Sequence, residues 1–132
     1  MTMKISYGAD HEFVPASHEN PLDPGVWKKV LFPKADLQAG VVQMVNWARL
    51  GAGKHFAAHY HEDLQEIFII LQGEAHLTVE TQTVVLRPGD AVRIDPREVH
   101  AMSNPGAEDV QYVVVGISSG VGGRTVVVEP QG

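Results

Sequence analysis

The 132-residue chain has no cysteine, which excludes a disulfide framework and every thiolate metal site. It has no apolar run of membrane-spanning length, and the stretch Met1 to Phe13 carries Lys4, Asp10, His11 and Glu12 without the apolar core of a secretory signal. The expected location is therefore cytoplasmic. Basic residues are few. Ten Lys and Arg stand against 16 Asp and Glu, a formal net charge of −6, and Lys28-Lys29 is the one tight basic doublet. That balance disfavours nucleic acid and anionic membranes as partners and leaves small molecules. There is no Gly-x-Ser-x-Gly elbow. With no thiol either, hydrolysis through a covalent intermediate is not expected. No segment shows a helical apolar period with caps.

What the chain does have is short β-like runs separated by turn signals. Strands are expected near 26–32, 41–50, 54–61, 66–72, 74–80, 83–86, 91–94, 99–103, 110–117 and 124–129. The punctuation is Gly51-Ala52-Gly53, Gly73, Arg87-Pro88-Gly89-Asp90, Asn104-Pro105-Gly106 and the glycines at 120–123. Many short strands at even spacing imply a sandwich or barrel, for which a double-sheet jelly roll is one solution. Residues 1–25, with Pro15, Pro21, Asp23, Pro24 and Gly25, read as an extended arm. The barrel domain is expected over 26–132. Ile67 to Leu71 and Val110 to Ile117 are apolar on both strand faces. A one-sided antiparallel sheet alternates apolar with polar, so the arm or a second subunit should cover the outside. A homodimer is the expected assembly.

The chemistry-bearing residues are His59, His61, Glu66 and His100. His59 and His61 are two apart, so on a strand both rings point to one face. Glu66 lies an odd step of five further on. The chain must therefore turn between them, and Glu62-Asp63-Leu64-Gln65 is polar enough to do so. Three imidazoles and a carboxylate form a complete donor set for one divalent transition metal, with iron, manganese, nickel, zinc and copper all compatible. Such a set leaves coordination positions open for a ligand.

These residues sit in a glycine frame, Gly53-x5-His59-x-His61-x4-Glu66-x6-Gly73 and then Gly89-x10-His100-x3-Asn104. The frame resembles the two motifs of the cupin superfamily, and the chain looks like a small single-domain cupin. There are two departures from the family pattern. Asp95 stands where a proline is expected, with Pro96 one place later, and Arg97 replaces the family's second glycine. The resemblance implies an all-β, double-stranded β-helix (jelly-roll) barrel with His59, His61, Glu66 and His100 as metal ligands. It also implies a base role for Glu66 in parts of the family. It does not imply one reaction, because fold does not fix function.

Strand parity places Phe68 and Ile70 with Glu66, and Met102 with His100. These three are the expected walls of a substrate pocket, and their apolar character suits a hydrocarbon-like substrate. His55, four residues before His59, could stand near the mouth or could simply end a strand. Tyr112 reads as core, and Asn104 as the residue that fixes its turn. Two functional classes fit. One is a metal-dependent oxygenase or isomerase acting on a small oxygen-bearing molecule. The other is a non-catalytic metal or small-molecule binding module.

Overall fold

Strand-forming residues and tight turns build an all-β molecule. The structure, a computed structural model, describes residues 2–120 and 123–128. Its strands are β1 (Lys4–Ser6), β2 (Val14–Pro15), β3 (Trp27–Lys28), β4 (Val41–Leu50), β5 (His59–His61), β6 (Leu64–Gln72), β7 (Ala75–Val79), β8 (Gln82–Leu86), β9 (Ala91–Ile94), β10 (His100–Ser103), β11 (Val110–Ser118) and β12 (Thr125–Val127). They form two five-stranded sheets, in the orders β1-β9-β6-β11-β4 and β12-β5-β10-β7-β8, with a two-stranded ribbon β2-β3. All the pairings are antiparallel. This is the expected double-stranded β-helix. No helix among the described residues is long and apolar enough to cross a membrane.

The core lies between the sheets. Phe68, Ile70, Val92, Ile94, Val110, Tyr112 and Val114 from one sheet pack in a single cluster with Ala75, Leu77, Val79, Leu86 and Met102 from the other. β7 shows the pattern behind this, since Ala75, Leu77 and Val79 are buried while His76 and Thr78 are partly exposed. Truncating a fully buried leucine such as Leu77 would cost about 2–5 kcal/mol.

The boundaries differ most from the expected ones in four places. The stretch 26–32 pairs only at Trp27–Lys28. Beyond it, Val30, Leu31, Phe32 and Leu37 face Ile67, Ile69, Val115 and Ile117 across an apolar groove of about 400 Å³. This segment is what partly covers the two-sided strands. The stretch 54–61 is regular only at β5, with an isolated bridge from His55 to Ser103 before it. In the arm, Lys4–Ser6 adds an edge strand against β9. Buried Arg93 fastens the arm there by donating to the Thr2 carbonyl at 2.7 Å, and it also donates to the Asp36 carbonyl beyond the arm at 2.8 Å. The last expected strand, 124–129, is seen at Thr125–Val127, and residue 129 and part of the 120–123 connection lie outside the described residues.

Candidate metal centre

The fold resolves the odd step between His61 and Glu66. β5 and β6 belong to different sheets, and the chain passes between them in the two residues Glu62 and Asp63. Leu64 and Gln65, expected in the turn, already belong to β6. His59 and His61 share the inner face of β5, and His100 opens β10 directly opposite His59. Glu66 reaches them from across the barrel. One donor atom from each of the four residues lies within 4.8 Å of the other three. Glu66 Oε1 is 2.8 Å from His61 Nε2 and 3.2 Å from His100 Nε2. The glycine frame is used as backbone, since Gly53, Gly73 and Gly89 all have positive φ.

Each imidazole is anchored from behind. His59 Nδ1 is 2.7 Å from the Ala57 carbonyl, and His100 Nδ1 is 2.9 Å from the Glu98 carbonyl. A carbonyl only accepts, so both Nδ1 atoms carry the proton and both Nε2 atoms turn a bare lone pair inward. His61 Nδ1 lies 2.9 Å from Thr125 Oγ1. Inside the cluster, His61 Nε2, His100 Nε2 and Glu66 Oε1 are buried without a hydrogen-bond partner. They are close to one another but out of hydrogen-bonding line. Buried polar groups are normally satisfied, so such an orphaned set calls for an explanation. A divalent ion supplies one. At metal–ligand bonds of about 2.1 Å, adjacent ligand atoms sit about 3 Å apart, which the separations of Glu66 Oε1 from His61 Nε2 and His100 Nε2 match. The donor set fits the ion that the fold implies.

The electrostatics agree. Burial pushes the Glu66 carboxyl up, but His100 and His61 beside it outweigh that and hold it at about 2. It is therefore ionised at neutral pH. Burial lowers the His59 pKa below its usual value, and the neighbouring His100 and His61 add to this. A neutral His59 ring and an ionised Glu66 carboxylate are forms that bind a metal. Burial raises the Tyr112 phenol, and Glu66 raises it further.

Of the expected wall residues, Phe68 meets the centre, its ring 6.2 Å from that of His100. Ile70 and Met102 are each 1% exposed and belong to the core beneath. The open space lies elsewhere. A cavity of about 290 Å³ adjoins His61 and is bordered by Gln43, Asp63, Ser118, Arg124 and Thr125. Leu64 borders it as well, so its lining mixes polar side chains with apolar surface. His55 is exposed, and Phe56 beside it packs on His59 with ring centroids 5.2 Å apart. Tyr112 is buried against Phe68. Asn104 does fix its turn, donating to the Leu50 and Glu108 carbonyls and accepting from Gly106 N–H. Sequence reasoning missed Phe56, Asp63, Ser118 and Thr125. Nothing in their spacing marks them, because each meets the centre or its turn through tertiary contact.

A jelly-roll barrel with three histidines and a glutamate converging inside it is the architecture of a cupin. The family profile described as cupin domain matches residues 46–116, and the chain belongs to that family. Among curated proteins it is 27% identical over 79 residues to a mannose-1-phosphate guanylyltransferase of Salmonella typhimurium, covering 60% of this chain and 16% of that protein. It is also 27% identical over 84 residues to an uncharacterized protein of Methanocaldococcus jannaschii, covering 64% of this chain and 66% of the relative. The chain thus spans less than two thirds of either relative. Among solved structures, a predicted oxalate decarboxylase of Thermotoga maritima is 28% identical with a TM-score of 0.56, covering 58% of this chain and 67% of that one. A cupin-superfamily sugar phosphate isomerase of Silicibacter pomeroyi is 27% identical with a TM-score of 0.51, covering 55% and 48%.

Proposed function

We propose that the chain is a metal-dependent enzyme of oxygenase or isomerase type, acting on a small oxygen-bearing molecule, with one divalent transition metal held by His59, His61, Glu66 and His100. The observation that carries this reading is the convergence of buried, unpartnered donor atoms whose rings are anchored from behind at Nδ1. When bound, the ion polarises a carbonyl or acidifies a hydroxyl. The rest falls to the chain. Three neutral imidazoles and one carboxylate leave a divalent centre with a charge of about +1, which favours an anionic or chelating oxygen ligand. The cavity beside His61 gives such a ligand hydrogen-bonding partners in Gln43, Ser118 and Thr125. Phe68 and Phe56 pack against the imidazoles and keep water from the inner side. Glu66 orients the site, and on leaving the metal it would act as a base at Oε1. Two similar structures, named for oxalate and for sugar phosphates, point to the same chemical class of small oxygen-rich anion.

The second reading is a non-catalytic binding module. It is favoured by the cluster's single carboxylate, which as a full-time ligand leaves no separate base in the group. The experiment is elemental analysis of the protein as purified and after reconstitution with iron, manganese, nickel, zinc or copper. Binding and turnover of a panel of small chelating carboxylates and hydroxy acids would follow. Protein that retains no metal removes the reading. Metal and anion binding without turnover selects the second one.

A further inference from the structure

The two-residue turn between His61 and Glu66 decides whether two ligands from opposite sheets meet, and it is clamped from several sides. Asp63 is 6% exposed, and its carboxylate accepts from the hydroxyls of Ser118 and Ser119 and, at 2.9 Å, from Ser119 N–H. The Asp63 carbonyl accepts from Gln38 Nε2 at 3.2 Å, and the same amide also donates to the Ile117 carbonyl at 2.6 Å. Glu62 N–H donates to the Arg124 carbonyl at 3.0 Å. The returning loop leans directly on the turn, since a Cβ at Gly123 would stand 2.8 Å from Glu62 Cβ and 3.1 Å from Asp63 N. An exposed two-residue connection needs none of this. Packing alone does not account for it either, because the turn's partners are polar groups brought from the far end of β11 and the start of β12.

Resting on the metal reading above, we infer that Asp63 is a positioning residue. Through Ser118 and Ser119 it sets the spacing of His61 and Glu66, and it couples the segment after β11 to the metal centre. The carboxylate is not one of the four converging donors, although Asp63 borders the cavity beside them. It holds the backbone turn so that Nε2 of His61 and Oε1 of Glu66 stay one ligand-to-ligand edge apart. Supporting side chains of this kind typically affect metal affinity about 10–100-fold.

The test uses the whole chain loaded with copper(II), read by electron paramagnetic resonance and by competitive titration of copper affinity. Asp63→Asn keeps the size and removes the carboxylate. Ser118→Ala with Ser119→Ala removes the two hydroxyl donors, keeps the Ser119 N–H and leaves the turn sequence intact. Asp90→Asn is the control, because Asp90 is a buried carboxylate that clamps a different turn through Arg87 N–H and Gly8 N–H. The expected result is the same altered copper spectrum and a 10–100-fold weaker affinity for Asp63→Asn and for the serine pair, with no further change when the two are combined. Asp90→Asn should lose thermal stability and keep the wild-type spectrum. A wild-type spectrum and affinity in the serine-pair variant or in Asp63→Asn overturns the inference. So does a spectrum altered equally by Asp90→Asn, which would mean general loosening. Wild-type protein that binds no copper, nor any of the other ions, removes the metal reading itself, a different failure. If Asp63→Asn does not fold, the serine pair alone decides.

Discussion

Glu66 Oε1 stands 2.8 Å from His61 Nε2, although the two residues belong to opposite sheets. Both atoms are buried and neither has a hydrogen-bond partner. A buried carboxylate this close to imidazole nitrogens is stabilised when a cation, whether a ring proton or a metal ion, joins them. About one divalent ion per wild-type chain is the expected outcome of elemental analysis. His59→Ala and His61→Ala should each weaken binding by at least ~100-fold, since losing an outer partner alone costs about 10–100-fold. Glu66→Gln keeps the size and one acceptor, so turnover and metal affinity should fall more than melting temperature. The reverse order would assign Glu66 a packing role.

Thr125 supports His61 from the partner strand β12, at Nδ1. Thr125→Val preserves the branched shape and removes the hydroxyl. Metal affinity should drop about 10–100-fold with little change in thermal stability. Isothermal titration of the metal-free protein with zinc would measure it, and unchanged affinity would mean that His61 needs no such anchor.

Arg97 stands where the family pattern has glycine, and its φ is +70°. A side chain in the left-handed region costs about 1–2 kcal/mol. The backbone N–H of Arg97 donates to the His61 carbonyl at 2.7 Å, and glycine would keep that bond. Arg97→Gly should therefore stabilise the protein by about 1 kcal/mol in urea denaturation and leave metal content unchanged. A loss of stability would show that the arginine side chain makes a contribution larger than its backbone strain.

The hydroxyls of Ser118 and Ser119 hold the Asp63 carboxyl at about 2, below its ordinary 3.8. A depressed folded-state pKa contributes stability that is fully present above the ordinary value and is lost as pH falls through the folded one. Denaturation curves of wild type and Asp63→Asn should therefore stay separated at neutral pH and converge between about pH 4 and pH 2. A gap that persists unchanged at pH 2 would contradict the ionised clamp.

The outer face of β4 presents Trp47 at 74% exposure and Val45 at 66%, beside the apolar groove over β6 and β11. Contiguous apolar surface of this kind marks an association site. The expectation is a homodimer through this face, with light scattering at micromolar concentration giving about twice 14.4 kDa and Trp47→Glu giving the monomer. A wild-type monomer would end the proposal. Deleting residues 1–25 should instead lower the stability of each chain, because it removes β1 and the Thr2 carbonyl that Arg93 binds.

The donor set was legible in the sequence because its signals are local. His59 and His61 share a face through strand parity, and the glycines at 53, 73 and 89 mark places where the backbone takes positive φ. Alternating and two-sided apolar runs were enough to place most of the barrel strands from β6 onward and to show that the outside of the barrel needed cover. The chain by itself did not decide which segment covers it, which strand the stretch 54–61 would form, or where the open cavity lies. Those depend on contacts between distant residues. Thr125 reaches His61 across 64 positions, and Ser118 reaches Asp63 across 55. Parity says which way a side chain points from its own strand, but not what the opposite sheet brings to meet it. That is why Ile70 and Met102 could be read as inward-facing from sequence, while only the packed barrel showed that they are buried in the core and that open space adjoins His61.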